Sequence, residues 1–242
     1  MVKTVLVASG KGGTGKTTTT VMLGRALSKK HKVALLDLDM TGPNTAHILG
    51  LSQKEVDSQK TFDGDWFYPI KYSENLEIFS PSFLFPPNTA VAWSGDKRRE
   101  LIHELIDKVK WNIPDILLCD SPPGTGDEIM AVLRYIPKVD GAVIVTNAKR
   151  VSLDDAQRLI SLLTNRLYNV PVLGIIDNMS SIEFGDGTRS DLFDEGISVG
   201  DELGIEVLAK VPFKHDLSSQ DFDGVAGIVA HRIGLNSKEV VQ

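Results

Sequence analysis

Ala8-Ser9-Gly10-Lys11-Gly12-Gly13-Thr14-Gly15-Lys16-Thr17 follows the apolar run Thr4-Val5-Leu6-Val7 and leads into Thr18-Thr19-Thr20-Val21-Met22-Leu23. Gly10, Gly15, Lys16 and Thr17 satisfy the spacing G-x-x-x-x-G-K-[ST], and they stand between a strand pattern and a helix pattern, the context that gives this spacing meaning. Glycines let the backbone wrap a polyphosphate with its N–H groups turned inward, and the helix N-terminus adds a favourable dipole. Gly10, Lys11, Gly12, Gly13, Thr14, Gly15, Lys16, Thr17 and Thr18 are therefore the expected cradle for a nucleoside triphosphate. Lys16 would reach the β- and γ-phosphates, and the Thr17 hydroxyl would ligate Mg²⁺.

Around this loop, apolar β-branched runs alternate with helical stretches. Strands are expected near Thr4–Val7, Val33–Leu36, Leu76–Phe79, Ile116–Cys119, Ala142–Val145, Val172–Ile176 and Glu206–Leu208. Helices are expected near Thr17–Lys29, Arg98–Lys110, Glu128–Tyr135, Leu153–Leu167 and from about Gly200 onward. Continuous apolar strands between helices argue for a parallel sheet covered on both faces. The expectation is a doubly wound α/β fold with a mostly parallel sheet of seven strands, forming one domain over residues 1–242. Residues 51–75 and 180–196 are polar or turn-rich and read as excursions from it.

The 242 residues carry a net charge of −6, which gives no global footprint for nucleic acid. Lys29-Lys30-His31-Lys32 and Lys97-Arg98-Arg99 are short basic clusters, expected at solvated helix ends. The N-terminus has no signal-peptide pattern, and no apolar run approaches the ~20 residues that span a bilayer. Val225–Ile233 could form an amphipathic helix, but it lacks the basic polar face of a membrane-surface helix and is expected to pack on the domain. A cytoplasmic protein without membrane attachment follows.

Two further segments end apolar strands in carboxylates. Val33-Ala34-Leu35-Leu36-Asp37-Leu38-Asp39 places acids at i and i+2, which can share one side at the carboxyl end of a strand, where α/β proteins bind ligands. Such a pair can order water on Mg²⁺ and position an attacking water. Ile116-Leu117-Leu118-Cys119-Asp120 repeats the pattern, with Asp120 able to hold Mg²⁺ through water. It continues Ser121-Pro122-Pro123-Gly124-Thr125-Gly126-Asp127, whose glycine N–H groups could sense a γ-phosphate.

Lys11, near the start of the loop, makes it resemble the deviant phosphate loop of the ParA, MinD, nitrogenase-iron-protein and Mrp ATPases. Asp120–Asp127 is very similar to the corresponding segment of Mrp-like ATPases, the iron–sulfur carrier type. Asp37–Asn44, Val91-Ala92-Trp93-Ser94-Gly95 and Ile176-Asp177-Asn178-Met179-Ser180 support this in the same order, from Lys3 to about Pro212. The resemblance implies a dimeric, slowly hydrolysing Mg-ATPase that works as a nucleotide switch. Asp37 and Asp120 would support the metal with Thr17, while Asp39 would lie near the attacking water. Lys11 would act across the dimer on the partner's nucleotide, and Lys16 would hold the phosphates in cis. Asn178 would contact the adenine edge, with Pro212 and Phe213 lining the base pocket.

One element of that family is missing. Its carriers use a Cys-x-x-Cys pair after the Asn-Met-Ser segment, whereas this chain reads Ser180-Ser181-Ile182-Glu183-Phe184-Gly185-Asp186-Gly187-Thr188-Arg189. Cys119 is the one cysteine, inside an apolar strand, and the five histidines show no ligand spacing. An iron–sulfur cluster on this chain alone is not expected. The acids Glu183, Asp186, Asp191, Asp194 and Glu195 lack a calcium-loop spacing and read as a solvated loop. The apolar cluster Phe83-Leu84-Phe85-Pro86-Pro87 is expected in packing or at a dimer interface. A homodimer with an unidentified protein partner is the leading expectation. A ParA- or MinD-type positioning ATPase, or a heterodimer with a cysteine-bearing relative, are the alternatives.

Overall fold

The computed structural model describes residues 1–40, 42, 44–59, 61–84, 94–184, 188–193, 196–214 and 216–235. Thr41, Pro43, Phe85–Pro87, Val91–Trp93, Asp186, Asp194 and Glu195, named above, lie outside them.

The expected seven strands all form. They are β1 (Lys3–Ala8), β2 (Val33–Asp37), β4 (Leu76–Phe79), β5 (Ile116–Asp120), β6 (Gly141–Thr146), β7 (Val172–Glu183) and β9 (Val207–Phe213). They pair in parallel in the order β4-β2-β5-β1-β6-β7-β9. The sheet has nine strands rather than seven, because each excursion adds a short antiparallel one. β3 (Ile70–Ser73) pairs with β4, and β8 (Arg189–Asp191) folds back on the far half of β7. Both are polar on at least one face and too short for a periodic pattern to reveal them.

Val33–Asp37 and Gly141–Thr146 are buried along their whole length, as strands covered on both faces must be. Alternate residues feed two cores. Val5, Val7, Leu35 and Leu118 face α1 (Lys16–Leu27) and α8 (Asp223–Arg232). Leu6, Leu36, Cys119 and Ile144 face α4 (Gly95–Lys108), α5 (Asp127–Tyr135), α6 (Arg150–Thr164) and α7 (Val199–Leu203). The expectation for the C-terminal helix holds: Val225, Ala226, Val229 and Ala230 are buried in the first core. Two short helices that periodicity could not reveal, α2 (Thr45–Ile48) and α3 (Gln53–Asp57), follow the end of β2; α3 opens with a capping box between Ser52 and Glu55.

The basic clusters are matched by acids. Lys29 pairs with Asp223 at 2.6 Å, Arg98 with Glu128 at 2.6 Å, and Arg99 with Asp127 at 3.0 Å. Among the described residues, no helix is long and apolar enough to cross a membrane.

This topology decides where the site falls. β1 sits between β5 and β6, and the chain leaves it on one side for β2 and later returns on the other for β6. The crevice at the carboxyl end of such a reversal is where open α/β sheets bind ligands. Farther out, Gly174 has φ +143°, and a Cβ there would lie 2.5 Å from the Leu208 side chain and 3.0 Å from the Glu206 carbonyl. Gly174→Ala is expected to destabilise the protein by about 1–3 kcal/mol through overpacking and backbone strain, read from the shift of its urea midpoint.

Candidate functional site

Three strand ends meet at the crevice. Val7 of β1 and Asp37 of β2 both lie in register with Asp120 of β5. Asp37 and Asp120 are fully buried neighbours, and the loop after β1 passes over them into α1. The N-cap of α1 is Gly15, with φ +82°. A Cβ at Gly15 would stand 2.1 Å from the Asn178 side-chain nitrogen, so glycine is required for both the turn and the close approach.

Asp120 gathers the first turn of α1. Thr17 Oγ1 donates to its Oδ2 at 2.7 Å, Thr20 Oγ1 to its Oδ1 at 2.7 Å, and the Lys16 ammonium lies 2.9 Å from Oδ1. Thr20 was not among the sequence-derived candidates, although i,i+3 spacing from Thr17 puts both on one helix face. The Asp39 carboxylate is 4.0 Å from the same ammonium. Asp37 accepts the Asp39 N–H on Oδ1 at 3.0 Å, and on Oδ2 the hydroxyls of Thr45 at 2.7 Å and Ser80 at 2.9 Å. Burial, then the Asp120 charge, pushes the Asp37 carboxyl up to about 7 against these hydrogen bonds and Lys16. Neither Thr45 nor Ser80 was legible in the sequence as part of the site; both reach it only through the fold.

The rest of the loop closes on its surroundings. Gly10 abuts the backbone of Asp155 and Ala156 in α6, and Gly124 N–H donates to the Ser9 carbonyl at 2.9 Å. Gly12 and Gly13 form the exposed or half-exposed crest, with Thr18 half-buried at the start of α1. Thr14 is buried, its hydroxyl without a hydrogen bond to a described residue; the Lys16 ammonium, despite the nearby carboxylate, has no well-aligned one among them either. Polar groups held this way out of water suit an arriving anion. Lys11 forms no ion pair with a described residue and stands partly exposed at the loop's outer side.

Asn178 is buried beneath the loop and donates from Nδ2 to the Thr14 carbonyl at 2.7 Å. Its amide is thus partly engaged with the loop itself. Val211 lies opposite Asn178 in the β7–β9 pairing, which puts Pro212 and Phe213 beside it, Phe213 more than half exposed. Met179, next in the chain, has φ +56°, two residues before β7 begins to pair with β8.

Oxygens from Thr17, Asp37 and Asp120 form the hard donor set that Mg²⁺ prefers. Cys119 presents the opposite chemistry to a metal cluster. It is fully buried, and burial with the neighbouring Asp120 charge pushes its thiol up to about 12, so it stays protonated. No described residues form a group of three or more His, Cys, Asp or Glu side chains able to hold a metal ion.

The parallel sheet, the glycine-rich loop at its point of reversal and the paired strand-end carboxylates define a P-loop NTPase. A family described as the ParA, NUBPL iron-transfer P-loop NTPases matches residues 1–241, and the chain belongs to that family. An iron–sulfur cluster carrier protein of Methanocaldococcus jannaschii is 36% identical over 213 residues, covering 86% of this chain and 71% of that relative. A nucleotide-binding protein from Archaeoglobus fulgidus, solved in complex with ADP, is 28% identical with a TM-score of 0.67, covering 95% of this chain and 88% of that one. The septum site-determining protein MinD of Pyrococcus horikoshii, solved with Mg-ADP, shares the fold at 24% identity and a TM-score of 0.68, covering 98% and 100%.

Two outcomes follow. Because the Asp37 pKa is raised from 3.8 to about 7, its contribution to stability is fullest below pH 4 and is lost as pH rises through 7. The melting temperature of Asp37→Asn relative to the parent protein is therefore expected to climb between pH 5 and pH 8, as measured by calorimetry without nucleotide. Cys119 is expected to resist a thiol reagent in the native protein at pH 8 and to react once in guanidinium.

Proposed function

We propose that this chain is a single nucleotide-binding domain that binds MgATP, hydrolyses it slowly and works as a nucleotide-switched homodimer. The observation that carries the reading is the cluster of buried Lys16, Asp37 and Asp120 with half-buried Thr17 at the mouth of α1, where the Lys16 ammonium, like the buried Thr14 hydroxyl of the same loop, has no well-formed hydrogen bond to a described residue. In this reading Lys16 exchanges its carboxylate neighbour for the β- and γ-phosphates, and the amides of residues 10–18 cradle the chain of phosphates. Thr17, with Asp37 and Asp120 through water, would hold Mg²⁺, which when bound draws charge from the phosphate oxygens. Asp39 orients the attacking water. Among the described residues beside it, Asp37 has a carboxyl raised to about 7, but its oxygens are taken up by Thr45, Ser80 and the Asp39 N–H, which fits a slow switch better than a fast enzyme.

Asn178 retains its carbonyl oxygen and one N–H for the adenine edge, with Pro212 and Phe213 forming the side of the base pocket. Lys11, partly exposed and unpaired among the described residues, would neutralise charge on the partner's nucleotide. A partner protein would read the two states. The relatives' role as iron–sulfur carriers comes to this chain only in part: Cys119 is poorly suited as a ligand, so a cluster handled here would need thiolates from another chain.

Equilibrium binding and phosphate release test the reading. The parent protein is expected to bind ATP in the micromolar range with a Mg²⁺ requirement, and Lys16→Ala to lose at least a hundredfold in affinity, about 3 kcal/mol. Lys11→Ala is expected to bind ATP normally but to fail to dimerise with it by sedimentation velocity. Unchanged binding in Lys16→Ala would sink the proposal.

A further inference from the structure

The carboxylate of Asp37 fastens two points of the chain around Asp39. Its Oδ1 takes the Asp39 N–H at 3.0 Å, and its Oδ2 takes the Thr45 hydroxyl at 2.7 Å, six residues farther on. A third donor comes from another strand: Ser80, at the end of β4, reaches Oδ2 at 2.9 Å. Asp37, Thr45 and Ser80 are all fully buried, so neither hydroxyl bond competes with water. Each donor is itself held. Ser80 caps the 3-10 turn Pro81–Phe83, accepting the Ser82 N–H at 3.2 Å, and the turn is anchored by buried Phe83. Thr45 opens α2, whose Ala46 and Ile48 pack against the first core.

A carboxylate has two oxygens and an otherwise free torsion about its last bond, so a single hydrogen bond leaves its plane undecided. Two hydroxyls on one oxygen and a backbone N–H on the other fix that plane. We propose that Ser80 and Thr45 are positioning residues, which orient the Asp37 carboxylate and through it hold the Asp39 backbone where the carboxylate of Asp39 faces Lys16. This rests on the functional reading above for its consequence in catalysis, but the geometric part stands without it. Ser80 extends the site to β4, a strand whose sequence shows no motif.

The test uses the full chain. Ser80→Ala and Thr45→Val remove one hydroxyl each, Val being close to Thr in shape; Thr45→Ser keeps the hydroxyl and is the conservative control. The first readout needs no ligand: hydrogen exchange of the Asp39 amide in the nucleotide-free protein, expected to speed up about tenfold in Ser80→Ala and Thr45→Val and to stay near the parent value in Thr45→Ser. The second is the Mg²⁺ concentration for half-maximal ATP binding, expected to rise five- to tenfold in the same two variants while the extent of binding at saturating Mg²⁺ is unchanged. Unchanged exchange at Asp39 in both hydroxyl-free variants overturns the positioning role, whatever the protein binds. Faster exchange with no Mg²⁺-dependent ATP binding in the parent protein upholds the geometry and overturns its catalytic consequence. If Ser80→Ala does not fold, the Thr45 pair decides alone.

Discussion

The structure depends on a carboxylate with no access to water. Asp120 ends the central strand β5, and three groups of α1 converge on it: the ammonium of Lys16 and the hydroxyls of Thr17 and Thr20. An unpaired ion in that position would be costly, and removing either partner of a buried pair is strongly destabilising. The ion pair therefore holds the first turn of α1 against the sheet and keeps the glycine-rich loop in shape. The same groups have the chemistry that polyphosphate and Mg²⁺ call for. On the reading proposed above, the same groups would exchange partners when nucleotide and metal arrive.

That double use accounts for the loop's other internal contacts. Gly124 N–H is given to Ser9, and the Asn178 amide to Thr14, so the segments after β5 and along β7 both report on the loop's position. Met179, in a left-handed conformation, follows Asn178 where β7 turns out toward its hairpin. A displacement of the loop would have a short, stiff route to that hairpin. The strand continues through Ser181–Glu183, which pairs with Arg189–Asp191 of β8 and carries no cysteine.

Most of the frame was legible because its signals are local. A buried parallel strand must be apolar throughout, and Val5, Leu35, Leu118 and Val143 announce theirs. Asp37 and Asp120 stand directly at the ends of such runs, and Lys16 and Thr17 close a glycine-rich spacing between a strand and a helix. What was not legible depends on contacts distant in sequence. Ser80 lies forty-three residues from Asp37 and meets it only because β4 pairs with β2. Thr20 was hidden in a run of four threonines, of which only its helical spacing from Thr17 sets it apart. β3 and β8 escaped notice because three or four half-exposed residues carry no usable period. The engagement of Asn178 with Thr14 depends on Gly15 lacking a Cβ, a packing relation across 164 positions of the chain.

The most direct measurement is a crystal structure of the protein with Mg²⁺ and a non-hydrolysable ATP analogue. The account predicts that Lys16 Nζ leaves Asp120, from which it now stands 2.9 Å, for the phosphates, and that Thr17 Oγ1 turns from Asp120 to the metal. Asp37 would keep its bonds to Thr45 and Ser80. A complex in which Lys16 and Thr17 both remain on Asp120, with the nucleotide seated elsewhere, would contradict it.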